Sequence, residues 1–466
     1  MRLFSNISNL YQKIVTEDDD EKELNSERFG ETITPNMRAL RLSMTVADYL
    51  LSMNIPASDV AAMALTITDR YCQRKVAIEI IASVLMFSQY RGDDREPLTL
   101  IHAITPRTVN SSLIQSIQEI VDEIHDGELS LDDAEVKLEK ILEKPKTYPQ
   151  WVLSIGSASI SAGVAALLSA SLQIVAMSFL AGGLISFVLL ALAKHRIPTF
   201  FAQVAAAAIA TLVAAGVTWL GGHGVGIFVG VDPNLIIIGG IIMLVSGLAF
   251  VGSFEDAIDE YYLTASSRIL QVVMLTAGIV VGIVVGLYIA KYLGISMSVN
   301  TDKRLSDTVG WQYVGVAMLA AGYSLSVNSR VSGILLAVLI SVGGWAIYAA
   351  TAPIFSPIAA SFIAAAAVGA SAALIARWLR IPSVTLTTAG IIALVPGLTL
   401  FNGLMAAVVG ANDNTPSLDA GVLILSNALF LAISIAAGAT FGNLVARPLR
   451  RTLIRAQNAL PRRKLN

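Results

Sequence analysis

Residues 240–248 read GIIMLVSGL and residues 390–398 read GIIALVPGL, so two stretches 150 positions apart differ at two of their nine positions. A proline precedes each stretch, at Pro233 and Pro382. Each stretch lies in an apolar segment long enough to cross a bilayer and is interrupted by glycine, with Pro396 added in the second copy. Paired Gly/Pro-interrupted spans in the two halves of a membrane chain are typical of a transporter's binding site. The alternative is a chance match among Ile, Leu, Val and Gly.

Composition independently predicts a membrane protein with a polar head. The 466 residues are 55% hydrophobic and 14% charged, with a mean hydropathy of +0.68. Up to Gln150 there are 25 acidic and 16 basic residues, whereas the remainder has 9 acidic and 16 basic residues. The chain therefore combines an acidic head with a basic membrane part. Cys72 is the single cysteine, which excludes an intramolecular disulfide.

The acidic head is predicted to contain a tail and one domain. Residues 1–33 include the charged run at 17–21 and are expected to be a disordered acidic tail. Residues 34–148 are expected to form a small cytoplasmic α+β domain. We find no secretion signal before it, and no nucleotide-binding loop, metal cluster or catalytic group within it. We therefore expect a protein that is not an enzyme and that carries no cofactor, no metal and no nucleic acid.

The order of elements in the head follows from hydrophobic periodicity and from turn residues. The last helix is opened by a capping box of Ser130 and Asp133. The predicted elements are a helix over 37–50, a helix from Pro56 to Tyr71, a small antiparallel sheet built from 76–90 and 98–104, and two further helices.

The membrane part contains ten segments of about twenty apolar residues, the length that a hydrocarbon core about 30 Å thick requires. The fold class predicted is an all-α polytopic membrane protein whose ten transmembrane helices form a first repeat over 149–300 and a second over 301–446. A basic cytoplasmic tail follows at 447–466. The ten segments are 152–172, 174–192, 200–220, 235–251, 269–293, 311–327, 331–350, 358–378, 384–409 and 420–445.

Basic residues predict the orientation of these spans, because cytoplasmic connections are enriched in Lys and Arg. With the head inside, the inner connections hold Lys194, Arg196, Arg268, Arg330, Arg377 and Arg380. The outer connections hold only Lys291, Lys303 and Arg304. This asymmetry places both termini in the cytoplasm and the chain in the cytoplasmic membrane. The repeated stretch falls in the fourth and ninth spans, and the odd offset makes them run in opposite directions, as in a 5+5 inverted repeat.

An acidic cluster directly after the fourth span is the first group of candidate site residues. Glu255, Asp256 and Asp259 lie within about one helical turn of each other, and Arg268 is the nearest basic residue. Ionisable groups near the membrane are functional candidates because their desolvation is unfavourable. A carboxylate here could bind a substrate ammonium group or carry a coupling proton, and we expect Asp256 to do so. The alternative is a solvated cytoplasmic loop.

The interrupted helices supply the second group of candidates. Pro396 has no N–H to donate, so the ninth span is expected to be kinked or unwound there. The freed backbone groups could then hold the carboxylate of a zwitterion, although a purely structural kink is the alternative. The full set expected to bind substrate is Gln203, Ser246, Gly247, Asp256, Val395, Pro396, Gly397, Leu398 and Asn402.

Several runs of residues together carry a resemblance to a known family. They are PTFFAQ at 198–203, LTASSR at 263–268, IPS at 381–383, TAGI at 388–391 and VPGLT at 395–399. With them, the chain from about residue 36 to residue 445 resembles the bacterial threonine/serine exporter family in its fused single-chain form. Asp256 matches an acidic position of that family's first motif, whereas Ser246 stands where many relatives have proline, and Asn402 where they often have arginine.

The resemblance implies export of threonine and serine across the cytoplasmic membrane, driven by the proton gradient. Small-molecule substrate, protons and the lipid bilayer are then the partners, and a homo-oligomer is left open. Two alternatives remain. Split relatives of the family are connected with dicarboxylate export, which would need positive charge at the site. A membrane-tethered sensor would instead use the head and have spans that do not conduct.

Overall fold

The structure, a computed structural model, describes the chain from Thr34 to Ala459 with several short gaps. The predicted acidic tail and Ser246 lie outside the described residues. The described residues are 34–90, 96–105, 107–143, 147–168, 171–226, 228, 232–242, 244, 247–295, 308–379, 383–409 and 417–459.

The head contains the predicted helices and sheet. Ser130 accepts a hydrogen bond from the Asp133 N–H at 3.2 Å, which confirms it as the N-cap of the last helix, and its hydroxyl donates to Asp133 Oδ2 at 2.7 Å. The sheet is antiparallel in the order β1-β2-β3. Its elements are α1 (Pro35–Ser52), α2 (Ala57–Tyr71), β1 (Val76–Ile81), β2 (Val84–Gln89), β3 (Leu98–Ala103), α3 (Ser111–Asp126) and α4 (Leu131–Leu142).

The head has a hydrophobic core of its own. One face of each strand and the apolar stripes of the helices bury large side chains such as Leu50, Ile67, Phe87 and Ile117. These side chains form one cluster, and the buried side chains of the membrane helices form others. The head is therefore a separate packing unit that rests on the membrane part.

The remainder of the described chain is helical. The helix ends agree with the predicted segments to within a few residues, with three exceptions: α9 ends later, α10 begins earlier and α16 continues into the predicted tail. The helices are α5 (Gln150–Leu168), α6 (Leu172–Lys194), α7 (Thr199–Gly222), α8 (Pro233–Ile242), α9 (Gly247–Ile258), α10 (Tyr262–Tyr292), α11 (Val309–Ser326), α12 (Val331–Thr351), α13 (Pro357–Leu379), α14 (Ser383–Ile391), α15 (Gly397–Val409) and α16 (Ser417–Ala459).

The number of spans is resolved only in part. Within the described residues, seven helices are long and apolar enough to cross a membrane: α5, α6, α7, α10, α12, α13 and α16. The pair α8 and α9, bent by 42°, makes an eighth if it is one span. The other two predicted spans correspond to α11 and to the pair α14 and α15. The exposed surface carries many large apolar side chains, such as Phe187, Tyr288 and Leu335, as expected of a multi-pass membrane protein.

Both copies of the repeated stretch are broken helices. α14 ends at Ile391 and α15 begins at Gly397, so the predicted interruption at Pro396 is confirmed. In the first copy, α8 ends at Ile242 and α9 begins at Gly247. The two breaks therefore fall at equivalent places in the repeated sequence.

Helices α5 and α11 approach each other through paired glycines. A Cβ added at Gly156 would lie 2.8 Å from the Gly322 carbonyl oxygen, and one at Gly163 would lie 2.8 Å from the Gly315 oxygen. Because the earlier residue of α5 contacts the later residue of α11, the two helices run antiparallel. Only residues without a side chain permit this distance between two helix backbones.

The pair α7 and α10 and the pair α13 and α16 have equivalent glycine contacts. A Cβ at Gly282 of α10 would lie 2.3 Å from the Val204 oxygen of α7, and one at Gly438 of α16 would lie 2.5 Å from the Phe362 oxygen of α13. Four residues later, Gly286 and Gly442 repeat the contact against the oxygens of Ala208 and Ala366. Both pairs are parallel, and the contacted residues are 158 positions apart in each case.

The first glycines of the repeated stretch also have matching neighbours. Gly240 of α8 faces Ile185 of α6 and Ala210 of α7, whereas Gly390 of α14 faces Ile340 of α12 and Val368 of α13. Each broken helix therefore packs against the second and third helices of its own half, which correspond to each other in the two halves.

Candidate functional site

The two helix breaks are in contact with each other. A Cβ added at Gly247 would lie 2.5 Å from Val395 Cγ1 and 3.3 Å from Gly397 Cα. At the second break, the Gly397 N–H donates to the Val395 carbonyl at 2.8 Å, and the Leu400 N–H donates to the Pro396 carbonyl at 2.9 Å. The structure thus brings together the interruptions that the sequence pairs, in a contact too tight for any added atom.

Gln203 of α7 supports the first break. Its side chain is 8% exposed, and its amide donates to the Leu244 carbonyl at 3.3 Å. That carbonyl lies between α8 and α9, where helical partners are missing. The side-chain oxygen of Gln203, Oε1, has no hydrogen-bond partner among the described residues. Gln203 therefore stabilises the break and keeps one acceptor available to a further donor.

Replacement of Gly247 by alanine is expected to lower the free energy of unfolding by about 1–3 kcal/mol, because the added methyl group overpacks the contact with Val395. The Val395 side chain is short and branched and has little freedom to move aside. Thermal unfolding of the purified variant in detergent measures the loss.

Two further variants control this experiment. Val395→Ala in the Gly247→Ala background removes the clashing methyl group and should recover part of the lost stability. Gly216→Ala in α7 should unfold like the unaltered chain, because no described atom outside the helix's own backbone lies within 4 Å of the added Cβ. Unchanged unfolding of Gly247→Ala would show that the contact accommodates a further methyl group.

A cavity of about 190 Å³ lies between the head and the membrane helices, on one side of the break contact. It is large enough for several water molecules or one small solute. Residues directly beside the breaks, Leu248 and Ile391, form part of its wall. The rest comes from Glu255, Arg268, Gln271, Tyr323, Thr385, Thr388 and others, and from Met53, Asn54, Ile55 and Pro56 of the head.

Glu255 is the carboxylate that faces this cavity. It lies on α9 seven residues after Leu248 and three after Gly252, so all three share the face that lines the cavity. Its side chain is half-buried, and we find no hydrogen bond from a described residue to its carboxylate. The carboxylate is therefore available to a cationic solute or to a proton.

Asp256, the next residue, is placed differently. It is fully buried, and Arg268 Nη1 donates to its Oδ2 at 2.5 Å. Its Oδ1 accepts the Ala57 N–H of the head at 3.0 Å. Both carboxylate oxygens thus have protein partners, and Asp256 is not part of the cavity wall. The geometry favours Glu255 over Asp256 as the partner of a bound cation.

The charge around the cavity is predominantly negative. The carboxylates of Asp59, Asp256 and Asp259 lie near Glu255, with Arg268 as the neighbouring cation. Burial raises the pKa of Tyr261, and the carboxylates of Glu79, Asp259 and Asp256 raise it further, so that phenol stays neutral. Three carboxylates against one guanidinium around Glu255 favour positive charge at that position, either a proton on its carboxylate or the ammonium group of a solute.

The predicted site residues therefore separate into two places. Gln203, Gly247, Val395, Pro396, Gly397 and Leu398 lie at the break contact, with Asn402 further along α15. Glu255 and Arg268 line the cavity, Asp256 lies behind it, and Asp259 is exposed and lies directly after the end of α9. Sequence reasoning did not identify Thr385 or the head residues as cavity residues, whereas Thr388 was a predicted polar position that could face a cavity. The spacing of Leu248, Gly252 and Glu255 was the signal that could have selected Glu255.

Comparison with known proteins identifies the family of the chain. The threonine/serine exporter family model ThrE matches residues 41–290, more than half of the chain and including the head. The chain belongs to the threonine/serine exporter family. A second model of the family, described as "Threonine/Serine exporter, ThrE", matches residues 312–445, which cover the second half of the membrane part.

Two curated members of the family are similar over most of their length. A protein of Mycobacterium tuberculosis named "Probable threonine/serine exporter" is 29% identical over 429 residues, covering 89% of this chain and 77% of the relative. The "Threonine/serine exporter" of Corynebacterium glutamicum is 28% identical over 418 residues, covering 88% and 83%. No solved structure matches the chain.

Proposed function

We propose that the chain exports threonine and serine across the cytoplasmic membrane by alternating access, driven by the proton gradient. The substrates are those in the names of its two relatives. The observation that carries the proposal is the cavity beside the closed contact of two broken helices, with a free carboxylate in its wall. A chamber on one side of a closed barrier is what one state of an alternating-access transporter requires.

The charge of the cavity supports an amino acid over a dicarboxylate as substrate. Glu255 can pair with the ammonium group, and the hydroxyls of Thr385 and Thr388 lie in the same wall. A dicarboxylate would meet the carboxylates around Glu255, while Arg268 is already paired with Asp256. Like charges at such a site are strongly unfavourable.

Matched packing supports the inverted repeat of five plus five spans. The α7–α10 and α13–α16 pairs share equivalent glycine contacts, as do Gly240 and Gly390. Helices α5 and α11, the first of each half, run antiparallel, as helices related by an axis in the membrane plane must. With α8–α9 and α14–α15 each taken as one broken span, ten spans result.

The contacts of the head support its location on the cytoplasmic side. It touches the connection between α9 and α10, the residues after α11 and the start of α14. All three lie in or directly beside the connections that the distribution of basic residues assigns to the inside. Both termini are then cytoplasmic.

A sensor function gives no reason for the two broken helices. A contact between the breaks that leaves no room for a further atom is expected of a permeation barrier, whereas a membrane anchor does not require one. Transport by the purified protein separates the two functions directly.

Transport in proteoliposomes tests the proposal. Purified protein is reconstituted with threonine, serine or succinate, with and without an imposed pH gradient. We expect threonine and serine to move, faster with the gradient, and succinate neither to move nor to compete. Succinate transport would favour the dicarboxylate exporter, and no transport of any solute would favour the sensor.

A further inference from the structure

The turn between α1 and α2 of the head closes the cavity from the cytoplasmic side. Met53 and Ile55 are each 2% exposed, and Asn54 between them adopts a left-handed conformation with φ of 66°. Asparagine tolerates that conformation better than most residues, so the turn can be this tight. Through Met53–Pro56, the head supplies one wall of a chamber that otherwise consists of membrane helices.

The helix that follows this turn is capped by the membrane part. α2 begins after Pro56, which offers no side-chain cap, and its first N–H is accepted by Asp256 of α9. One residue later, Ser58 Oγ donates to Asp259 Oδ2 at 2.5 Å. Two carboxylates at a helix N-terminus interact favourably with its partial positive charge.

Arg268 joins the same arrangement from α10. It pairs with Asp256 and, through Nη2, donates to the Ile55 carbonyl at 3.4 Å. Thr264, four residues earlier, accepts the Ala82 N–H at 3.2 Å, so the β1–β2 turn is held as well. We refer to Asp256, Asp259 and Arg268, with their head partners Ile55, Ala57 and Ser58, as the latch.

The latch is mechanically linked to the break contact. α9 begins at Gly247, which touches Val395, and ends at Ile258, two residues after Asp256. A helix of twelve residues moves as a rigid body, so separation of the breaks shifts both aspartates relative to α2. The head and the membrane helices have separate cores, which allows the head to move as a unit.

We propose that the head is the inner gate of the transport pathway, opened and closed through the latch. In the docked position shown here, the α1–α2 turn blocks entry from the cytoplasm. Release of the α2 N-terminus from Asp256 and Asp259 opens the cavity to substrate. The inference rests on the proposed function, because a gate presupposes a transported solute.

A reversible cross-link between head and membrane part tests the gate. Ser58→Cys and Asp259→Cys are combined in a Cys72→Ser background, which removes the single native cysteine. The protein is reconstituted and oxidised, and loss of free thiols measures the cross-link. Oxidation is expected to lower threonine transport by at least about tenfold, with full recovery after reduction. Each single-cysteine variant should be insensitive to the oxidant.

The outcomes separate the gate from the function. Fully cross-linked protein that transports threonine at the rate of the reduced protein would overturn the gate. If the reduced protein transports succinate and not threonine, the proposed substrate is wrong, and the same oxidation repeated with succinate still tests the gate.

Labelling of the cavity provides a test that needs no cross-link. The substitution Thr385→Cys in the Cys72→Ser background places a thiol in the cavity wall, and a bulky maleimide labels it in detergent solution. Ser58→Ala with Asp259→Asn removes the hydrogen bond between them and is expected to accelerate labelling by about fivefold or more. An unchanged rate would show that the head does not control access to the cavity.

Discussion

Threonine export by the Glu255→Gln variant is expected to be at least about 100-fold slower than export by the unaltered chain, because a charged interaction worth about 3 kcal/mol is lost. Glutamine keeps the size of the side chain, so the cavity and the fold should be unchanged. Glutamine carries no negative charge that could pair with an ammonium group, and it has no carboxyl proton to release. Transport in proteoliposomes at equal protein amounts measures the loss.

A matched control exists in the same acidic cluster. Glu260 lies five residues later and is exposed, so Glu260→Gln removes the same charge without altering the cavity wall. We expect its export to remain within about twofold of the unaltered chain, as for most surface substitutions. Equal export by both variants would eliminate Glu255 from the site.

Exchange of labelled for unlabelled threonine, without a pH gradient, separates the two roles of Glu255. If its carboxylate binds the ammonium group, exchange is lost together with export. If it carries the coupling proton, exchange continues while gradient-driven export is lost. Either result retains Glu255 as a functional residue.

The Asp256→Asn variant is expected to lose about 3–5 kcal/mol of stability, since it leaves a buried guanidinium without its carboxylate. Arg268 is 15% exposed and Asp256 is fully buried, so water cannot replace the missing partner. Thermal unfolding in detergent measures the stability, and threonine export is expected to fall with it because the latch loses its ion pair.

Two further variants test whether the ion pair of Asp256 and Arg268 is responsible for the lost stability. Removal of both charges in Asp256→Asn/Arg268→Gln should recover part of the lost stability, because no unpaired charge then remains buried. Asp259→Asn, at an exposed carboxylate, should change stability by less than about 1 kcal/mol. A double variant no more stable than Asp256→Asn would show that the pair contributes little.

Much of the fold could be predicted from the sequence because the signals are local. The helices of the head follow from apolar spacing, and the start of α4 follows from Ser130 and Asp133. The break at Pro396 follows from a missing N–H. Apolar length alone predicted where the membrane helices lie, since the bilayer sets that length whatever their packing.

The candidate site was predictable in its residue types but not in its assignments. Glu255 and Asp256 are adjacent acidic residues, and composition gives no reason to prefer either. Their directions on α9 differ by about 100° because a helix has 3.6 residues per turn. Only the packed helix shows that one faces the cavity and the other faces Arg268.

The sequence by itself determined that the chain has an acidic head, a basic membrane part and two similar interrupted segments. Hydropathy, charge and the missing N–H of proline affect residues only a few positions away, so a local pattern is enough to predict these features. The tertiary structure decided that these interruptions touch at Gly247 and Val395, and that Asp256 caps a helix of the head. Such contacts join residues far apart in the chain. They depend on how complete helices pack, which no local pattern encodes.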